Sequence, residues 1–235
     1  MCCRMITSAW MHDGWFEEVI AWIEHELARL GSTRIAPVEA VKKWSISCIL
    51  RVPTMQGNVY FKASAALPLC ANEPAVTRGL SAFFPGHVPE VLAADDERRW
   101  ILMADVGQRL DRQSPPEVYE EVICLFGSMQ LQSAGRTAEL VSMGCVDRRL
   151  ERLATQIGPL LRDGTAQAAL DGGEIAQLRR HASRLADLCD TLGALHYAVI
   201  YQHILASLSV PSEPELVRDF RFFLRHLVKA CQALA

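Results

Sequence analysis

No apolar run in the 235 residues approaches the ~18 that would suggest a membrane span. The opening Met1-Cys2-Cys3-Arg4-Met5 has no apolar stretch of the kind a secretory signal needs, and Met5 and Met11 are equally good starts. Net charge is −3, with no basic block and no acidic tail, so neither a nucleic acid nor a membrane surface is expected as partner. The eight cysteines include no C-x-x-C and no Cys/His cluster at metal-ligand spacing. Scattered thiols of this kind suit a reducing cytoplasm and read as small buried hydrophobes. Internal repeats and low-complexity tracts are absent. Two residue types are scarce: asparagine occurs only at Asn58 and Asn72, and lysine only at 42, 43, 62 and 229, against 20 arginines.

The length suits one large domain or two small lobes, and half the residues are hydrophobic. Trp15, Val19, Trp22, Ile23, Glu26, Leu27 and Leu30 recur at helical spacing, with Gly31 as the stop. The period then changes. Val38–Val41, Ser45–Val52 and Asn58–Ala63 read as strands, the last two joined by the turn Pro53–Gly57. A helix follows, with Asn72 as expected N-cap, Glu73 and Pro74 in its first turn, and an end near Phe84-Pro85-Gly86. Val91–Ala94 and Trp100–Met103 are two more strands around the turn Asp95–Arg98.

From Ser114 onward the pattern is helical. Ser114 and Pro115 open a helix to about Ser133, broken by Gly135, and a second covers Val146 to Leu161. A long one starts near Glu174 with no clear stop before Leu208, and the last begins at Pro214. In that last helix Leu216, Val217, Phe220, Phe223, Leu224, Leu227, Val228 and Cys231 share a face. The expected class is α+β, with a small lobe of antiparallel sheet plus helix over residues 1–107 and an all-helical lobe over 108–235.

Where Arg is the default cation, a Lys inside an apolar strand suggests a need for a compact point charge. Lys62 in Val59-Tyr60-Phe61-Lys62-Ala63 precedes Glu73 by eleven residues. A lysine on a third strand and a glutamate on the next helix are the pair that grips nucleotide phosphates in kinase small lobes. Spacing alone favours a solvated strand-end lysine and a glutamate serving the helix dipole.

The neighbouring segments extend the pattern. Lys43-Trp44-Ser45, Leu50-Arg51-Val52-Pro53-Thr54, Val59-Tyr60-Phe61-Lys62-Ala63, Glu73-Pro74-Ala75, Val88-Pro89-Glu90-Val91-Leu92-Ala93 and Trp100–Gly107 occur in that order. Met129-Gln130-Leu131-Gln132 and Asp147-Arg148-Arg149-Leu150 follow. Together they resemble the aminoglycoside phosphotransferase family, which has a protein-kinase-like fold. The resemblance implies ATP-dependent phosphorylation of a small hydroxylated molecule. It implies that Lys62 meets the ATP phosphates, that Glu73 holds Lys62, and that Met103, Ala104, Asp105 and Val106 form the hinge against adenine. The turn Lys42–Ser47 would lie over the phosphates, with Ser45 and Ser47 as lesser candidates to touch them.

The rest of the machinery is missing. Phosphoryl transfer in this fold uses H-x-D-x-x-x-x-N, whose Asp accepts the substrate proton, while its Asn and a later Asp hold magnesium. Neither asparagine lies in the helical lobe, and none of His181, His196, His203 and His226 has Asp two positions later. Asp219-Phe220-Arg221 resembles a metal-binding D-F-G, but lies in the last amphipathic helix and reads as packing plus surface charge. No catalytic and no metal residue is therefore assigned, Mg2+ is not expected, and any ATP binding should be weak.

The segment 184–193 resembles the helix before the family's catalytic loop, and 194–204 resembles its C-terminal helical region. They abut near 191–195, as an internal deletion would leave them, and one continuous or kinked helix is expected through this junction. His196, Tyr197, Tyr201 and His203 sit at helical spacing and read as face packing. Truncation should leave helix faces open, among them parts of Phe220, Phe222 and Phe223, so self-association is expected. The chain is therefore expected to be a catalytically inactive relative of that family, with a weak nucleotide-binding or partner-binding pseudokinase remnant as the alternative.

Overall fold

Alternation of buried and half-open side chains along two long strands sets the frame of the fold. The computed structural model describes residues 9–107, 110–111, 113–181, 198–199, 201–202 and 214–232. Strands β1 (Glu39–Lys43), β2 (Ser47–Thr54), β3 (Gly57–Ser64), β4 (Val91–Asp95) and β5 (Trp100–Ala104) form one sheet in the order β1-β2-β3-β5-β4. All four pairings are antiparallel. Cys48, Leu50 and Val52 of β2 lie opposite Ala63, Phe61 and Val59 of β3, while Leu102 and Trp100 of β5 lie opposite Phe61 and Ala63. Because side chains alternate with a period of two, these residues share one face.

Helix α1 (Trp15–Arg29) covers that face. Trp15 and Trp22 meet Phe61 edge-on at 6.3 and 5.8 Å, and Trp100 at 6.4 and 5.6 Å. Phe61 and Trp100 lie 5.6 Å apart. Edge-to-face pairs add about 0.5–1.5 kcal/mol each beyond the area they bury. Val19, Ile23 and Leu27 complete the buried stripe. The helix stops where expected, for a visible reason. Gly31 has φ 68°, its N–H reaches Ala28 O at 3.1 Å, and Ser32 N–H reaches Leu27 O at 2.9 Å. This is the Schellman arrangement, which satisfies the last carbonyls by means of one left-handed residue.

The opposite face carries Ile49, Arg51, Tyr60, Lys62, Ser64, Ile101 and Met103. Helix α2 (Glu73–Phe83) brings Glu73 to it. Asn72 stands at the N-cap position, and its carbonyl accepts from Val76 at 2.9 Å, but its side chain does not cap. The Asn72 amide instead donates to Gly144 O at 3.1 Å, in the loop after α4. The expected turn Pro53–Gly57 is shorter than that, because Thr54 and Gly57 are paired to each other and only Met55 and Gln56 turn. Strand β1 is exposed along its length and forms one edge of the sheet, with Lys42 and Lys43 on it, a protection against edge pairing.

The chain divides into two compact units. The first contains 9–66 and 70–145, so α3 (Pro116–Ala134) and the short α4 (Thr137–Ser142), which was not expected, belong with the sheet. The division falls at 145/146, whereas the sequence reading placed it at 107/108. Ser114 does not cap α3; Pro115 takes that position and Ser114 Oγ accepts from Asp111 N at 3.0 Å.

The second unit, 146–235 with 67–69, is helical wherever 146–232 is described as regular structure. Its helices are α5 (Leu150–Arg162), α6 (Gly164–Ala169), α7 (Gly172–His181) and α8 (Pro214–Gln232). Helix α5 starts four residues later than expected, after Asp147 engages Arg149. Asp163 caps α6 through Ala166 N at 2.8 Å. Asp171 and Glu174 cap α7 reciprocally, each side chain accepting from the other's N–H at 2.9 Å, which is a capping box with Asp in the first place. Leu153, Ile157, Leu160, Leu178, Leu216, Phe220, Leu224, Leu227 and Val228 are buried within this unit. The junction at 191–195, and with it the expected helix across it, lies outside the described residues, as do His196, Tyr197 and His203.

Candidate functional site

Lys62 and Glu73 come together. Lys62 sits in the middle of the sheet, directly opposite Ile49 on β2 and Ile101 on β5. From there its ammonium donates to Glu73 Oε1. Both side chains keep about a quarter of their surface open, 25% and 24%. The pair is thus reachable from solvent while resting on an apolar floor. An ammonium has three N–H donors, so the ion pair leaves Lys62 two for another acceptor.

Ser64, two residues further along the same face, donates to the other oxygen, Glu73 Oε2. Its main chain is also held. Ser64 N–H donates to Arg99 O at 3.1 Å, and Arg99 Nε donates to Ser64 O at 3.4 Å. Arg99 has φ 57°, uncommon for a residue with a Cβ, which lets the β4–β5 turn curl back onto β3. Cys70, just before α2, feels the same charges. Burial first and then Glu73 push its thiol above its ordinary range, with Lys62 and Arg99 pulling the other way. Neither Ser64 nor Arg99 was singled out from the sequence. Period two already places Ser64 on the Lys62 face, but only the pairing of β3 with β5 brings Arg99 to it.

The other candidate residues lie at the two ends of this face. Met103 stands opposite Tyr60 and Ala104 opposite Val59, so the 103–106 run leaves the sheet about three residues, or ~10 Å, from Lys62 along β3. Ala104 N–H is taken by Glu90 O at 2.9 Å. Asp105 Oδ1 accepts from Gly107 N at 2.8 Å, and Val106 is 70% exposed. At the opposite end, Ala65 N–H donates to Ile46 O at 3.0 Å, so the β1–β2 turn containing Ser45 sits at the Lys62 end of β3. Ser47 Oγ accepts from Trp44 Nε1 at 2.6 Å, and the Lys42 ammonium lies 3.8 Å from the Trp44 ring centre.

A cleft of about 880 Å³ opens between the C-terminal part of α2, the loop 85–90, the run 104–106 and Leu125 of α3. The run 104–106 borders this cleft, while Lys62 and Glu73 stand outside its lining. Arg78, the cation on its wall, is already engaged with Asp96 at 2.8 Å.

Among the described residues no group of three or more His, Cys, Asp or Glu side chains is placed to hold a metal ion. Asp219 accepts from Tyr201 Oη at 3.2 Å, and Phe220 beside it is fully buried, so the Asp219-Phe220-Arg221 string serves packing in α8. The ammonium donors of Lys62 fit an anion such as a phosphate. Among the described residues no helix is long and apolar enough to cross a membrane. Comparison with known proteins finds no matching family model, no matching curated protein and no matching solved structure.

Proposed function

We propose that this chain is a relative of the aminoglycoside phosphotransferases that has lost phosphoryl transfer and keeps a weak ATP site on a kinase-like small lobe. The observation that carries this is the Lys62–Glu73 ion pair, formed between a central strand and the helix that follows it. Glu73 holds the ammonium on the open face, and the two remaining N–H donors of Lys62 address phosphate oxygens. The 103–106 run, one strand over, takes adenine through backbone groups at Asp105 and Val106, since Ala104 N–H is already used. Ser45, in the turn at the phosphate end, borders the same site.

Catalysis has no residue to carry it. No H-x-D-x-x-x-x-N occurs in the sequence, so the motif whose Asp takes a proton from an acceptor hydroxyl is missing. The small hydroxylated acceptor of an intact relative thus has no counterpart step here. The four described free cysteines, Cys48, Cys70, Cys124 and Cys145, support a reducing, cytoplasmic setting.

Thermal unfolding with ATP, with and without Mg2+, tests this reading. At about ten times a millimolar-range Kd, binding adds roughly 1.4 kcal/mol, a Tm rise of about 3–6 °C. The rise is expected in wild type and absent in Lys62→Ala, with no phosphate released from labelled ATP in either. An equal shift in both variants, or turnover by wild type, would sink the proposal.

A second reading concerns self-association, and α3 favours it. Tyr119, Val122, Ile123 and Phe126 form an exposed stripe at helical spacing, with Ile123 69% exposed. In α8 it is Phe222 that is open, at 61%, whereas Phe220, expected to be partly exposed, is fully buried. Light scattering at working concentration decides this: a strictly monomeric chain excludes it.

A further inference from the structure

We propose that Ser64 is the positioning residue of the nucleotide site, setting the Lys62 ammonium by clamping the Glu73 carboxylate. This rests on the reading of Lys62 as the phosphate anchor. A carboxylate held by a lysine alone can rotate about its long side chain and carry the ammonium with it. Here the second oxygen is held as well, because Ser64 donates to Oε2 while Lys62 donates to Oε1. Both donors come from one strand face, two residues apart, so the carboxylate is fixed by the pitch of β3 itself.

Ser64 suits this task better than an exposed hydroxyl would. It is only 4% exposed, so water does not compete for its hydrogen bond. Its N–H and C=O are both pinned to Arg99, at 3.1 and 3.4 Å, so its hydroxyl projects from a fixed point. A hydrogen bond to a carboxylate is also roughly twice as strong as one between neutral groups. The result is a relay from the β4–β5 turn through Ser64 to Glu73 and Lys62. Triphosphate recognition depends on the end of that relay, whereas adenosine recognition at 103–106 does not.

The experiment compares ATP and adenosine binding by calorimetry in wild type, Ser64→Ala, Ser64→Thr and Lys62→Ala. Ser64→Ala is expected to weaken ATP about tenfold, equivalent to roughly 1.4 kcal/mol, with adenosine unchanged and Ser64→Thr restoring the ATP value. A merely structural role would weaken both ligands together. A second readout needs no nucleotide: with lysine 13C-labelled, only four side chains give Cε signals. The Lys62 signal, identified by its loss in Lys62→Arg, should move in Ser64→Ala and return in Ser64→Thr, while those of Lys42, Lys43 and Lys229 stay. If wild type binds no ATP, the nucleotide reading fails by itself, and the Lys62 signal alone decides whether Ser64 positions the pair. If Ser64→Ala leaves that signal and the ATP-to-adenosine ratio unchanged, the proposal is overturned.

Discussion

The carbonyl oxygen of Gly144 accepts a hydrogen bond from the Asn72 amide at 3.1 Å, which ties the start of α2 to the loop after α4. Gly144 has φ 99°, and a Cβ built there would stand 2.5 Å from Asn72 Cβ. Backbone strain and overlap therefore act together against any side chain at 144. Gly144→Ala should destabilise the protein by about 1–3 kcal/mol. Since α2 carries Glu73, the same variant should disturb the Lys62 pair. Urea unfolding gives the first effect, and the lysine Cε spectrum gives the second. An unchanged midpoint and spectrum would refute the linkage.

Phe61 is the centre of the aromatic cluster, in contact with Trp15, Trp22 and Trp100 and fully buried. Phe61→Ala should cost about 3–5 kcal/mol through lost burial and the cavity left behind. For a chain of this size that lowers Tm by on the order of 10 °C. Tryptophan fluorescence should also shift, as three of the five Trp side chains touch the site of the change. A drop of less than ~1 kcal/mol would mean that α1 does not pack on this face.

Asp147 offers a pH-dependent test in the helical unit. Hydrogen bonds from the Arg149 side chain, and then from its backbone N–H, hold this carboxyl down at about 2, against an ordinary 3.8. A group depressed on folding stabilises the native state above its unfolded value, and that contribution fades as pH falls towards the folded one. The stability due to Asp147 should therefore be complete above about pH 4 and vanish by about 2. Asp147→Asn should unfold at lower urea than wild type at pH 5, with the gap closing as pH falls to about 2. A gap that is constant with pH would show that the ion pair is not its source.

Much of the sheet unit was legible because local chemistry and tertiary demand agree there. The stripe Trp15–Val19–Ile23–Leu27 followed by Gly31 predicts α1 and its end, and the Schellman bonds supply the reason. The resemblance implies that Glu73 holds Lys62, and the structure forms the pair because a strand followed by a helix on its open face brings them within reach. Asn72 stands at the N-cap position without a side-chain cap, its amide N–H being turned instead to a tertiary acceptor, Gly144 O. Ser64 is not legible in the sequence, because a serine at a strand end carries no local signal of its partner. Phe220 is buried where partial exposure is expected, because one amphipathic helix does not reveal which part of its apolar face its neighbours cover.

The sequence by itself determined the α+β pattern, the presence of a single lysine in an apolar strand, and the absence of any H-x-D-x-x-x-x-N string. These are matters of period, residue count and spacing, and no fold can supply a side chain the chain does not contain. Only the tertiary structure decided that Lys62 is paired rather than solvated, that Ser64 and Arg99 complete its setting, and that Phe222 rather than Phe220 is open. The meeting of Ser64 with Arg99 depends on strand order. With β5 inserted between β3 and β4, residues 35 positions apart become neighbours, and sequence periodicity does not encode that distance.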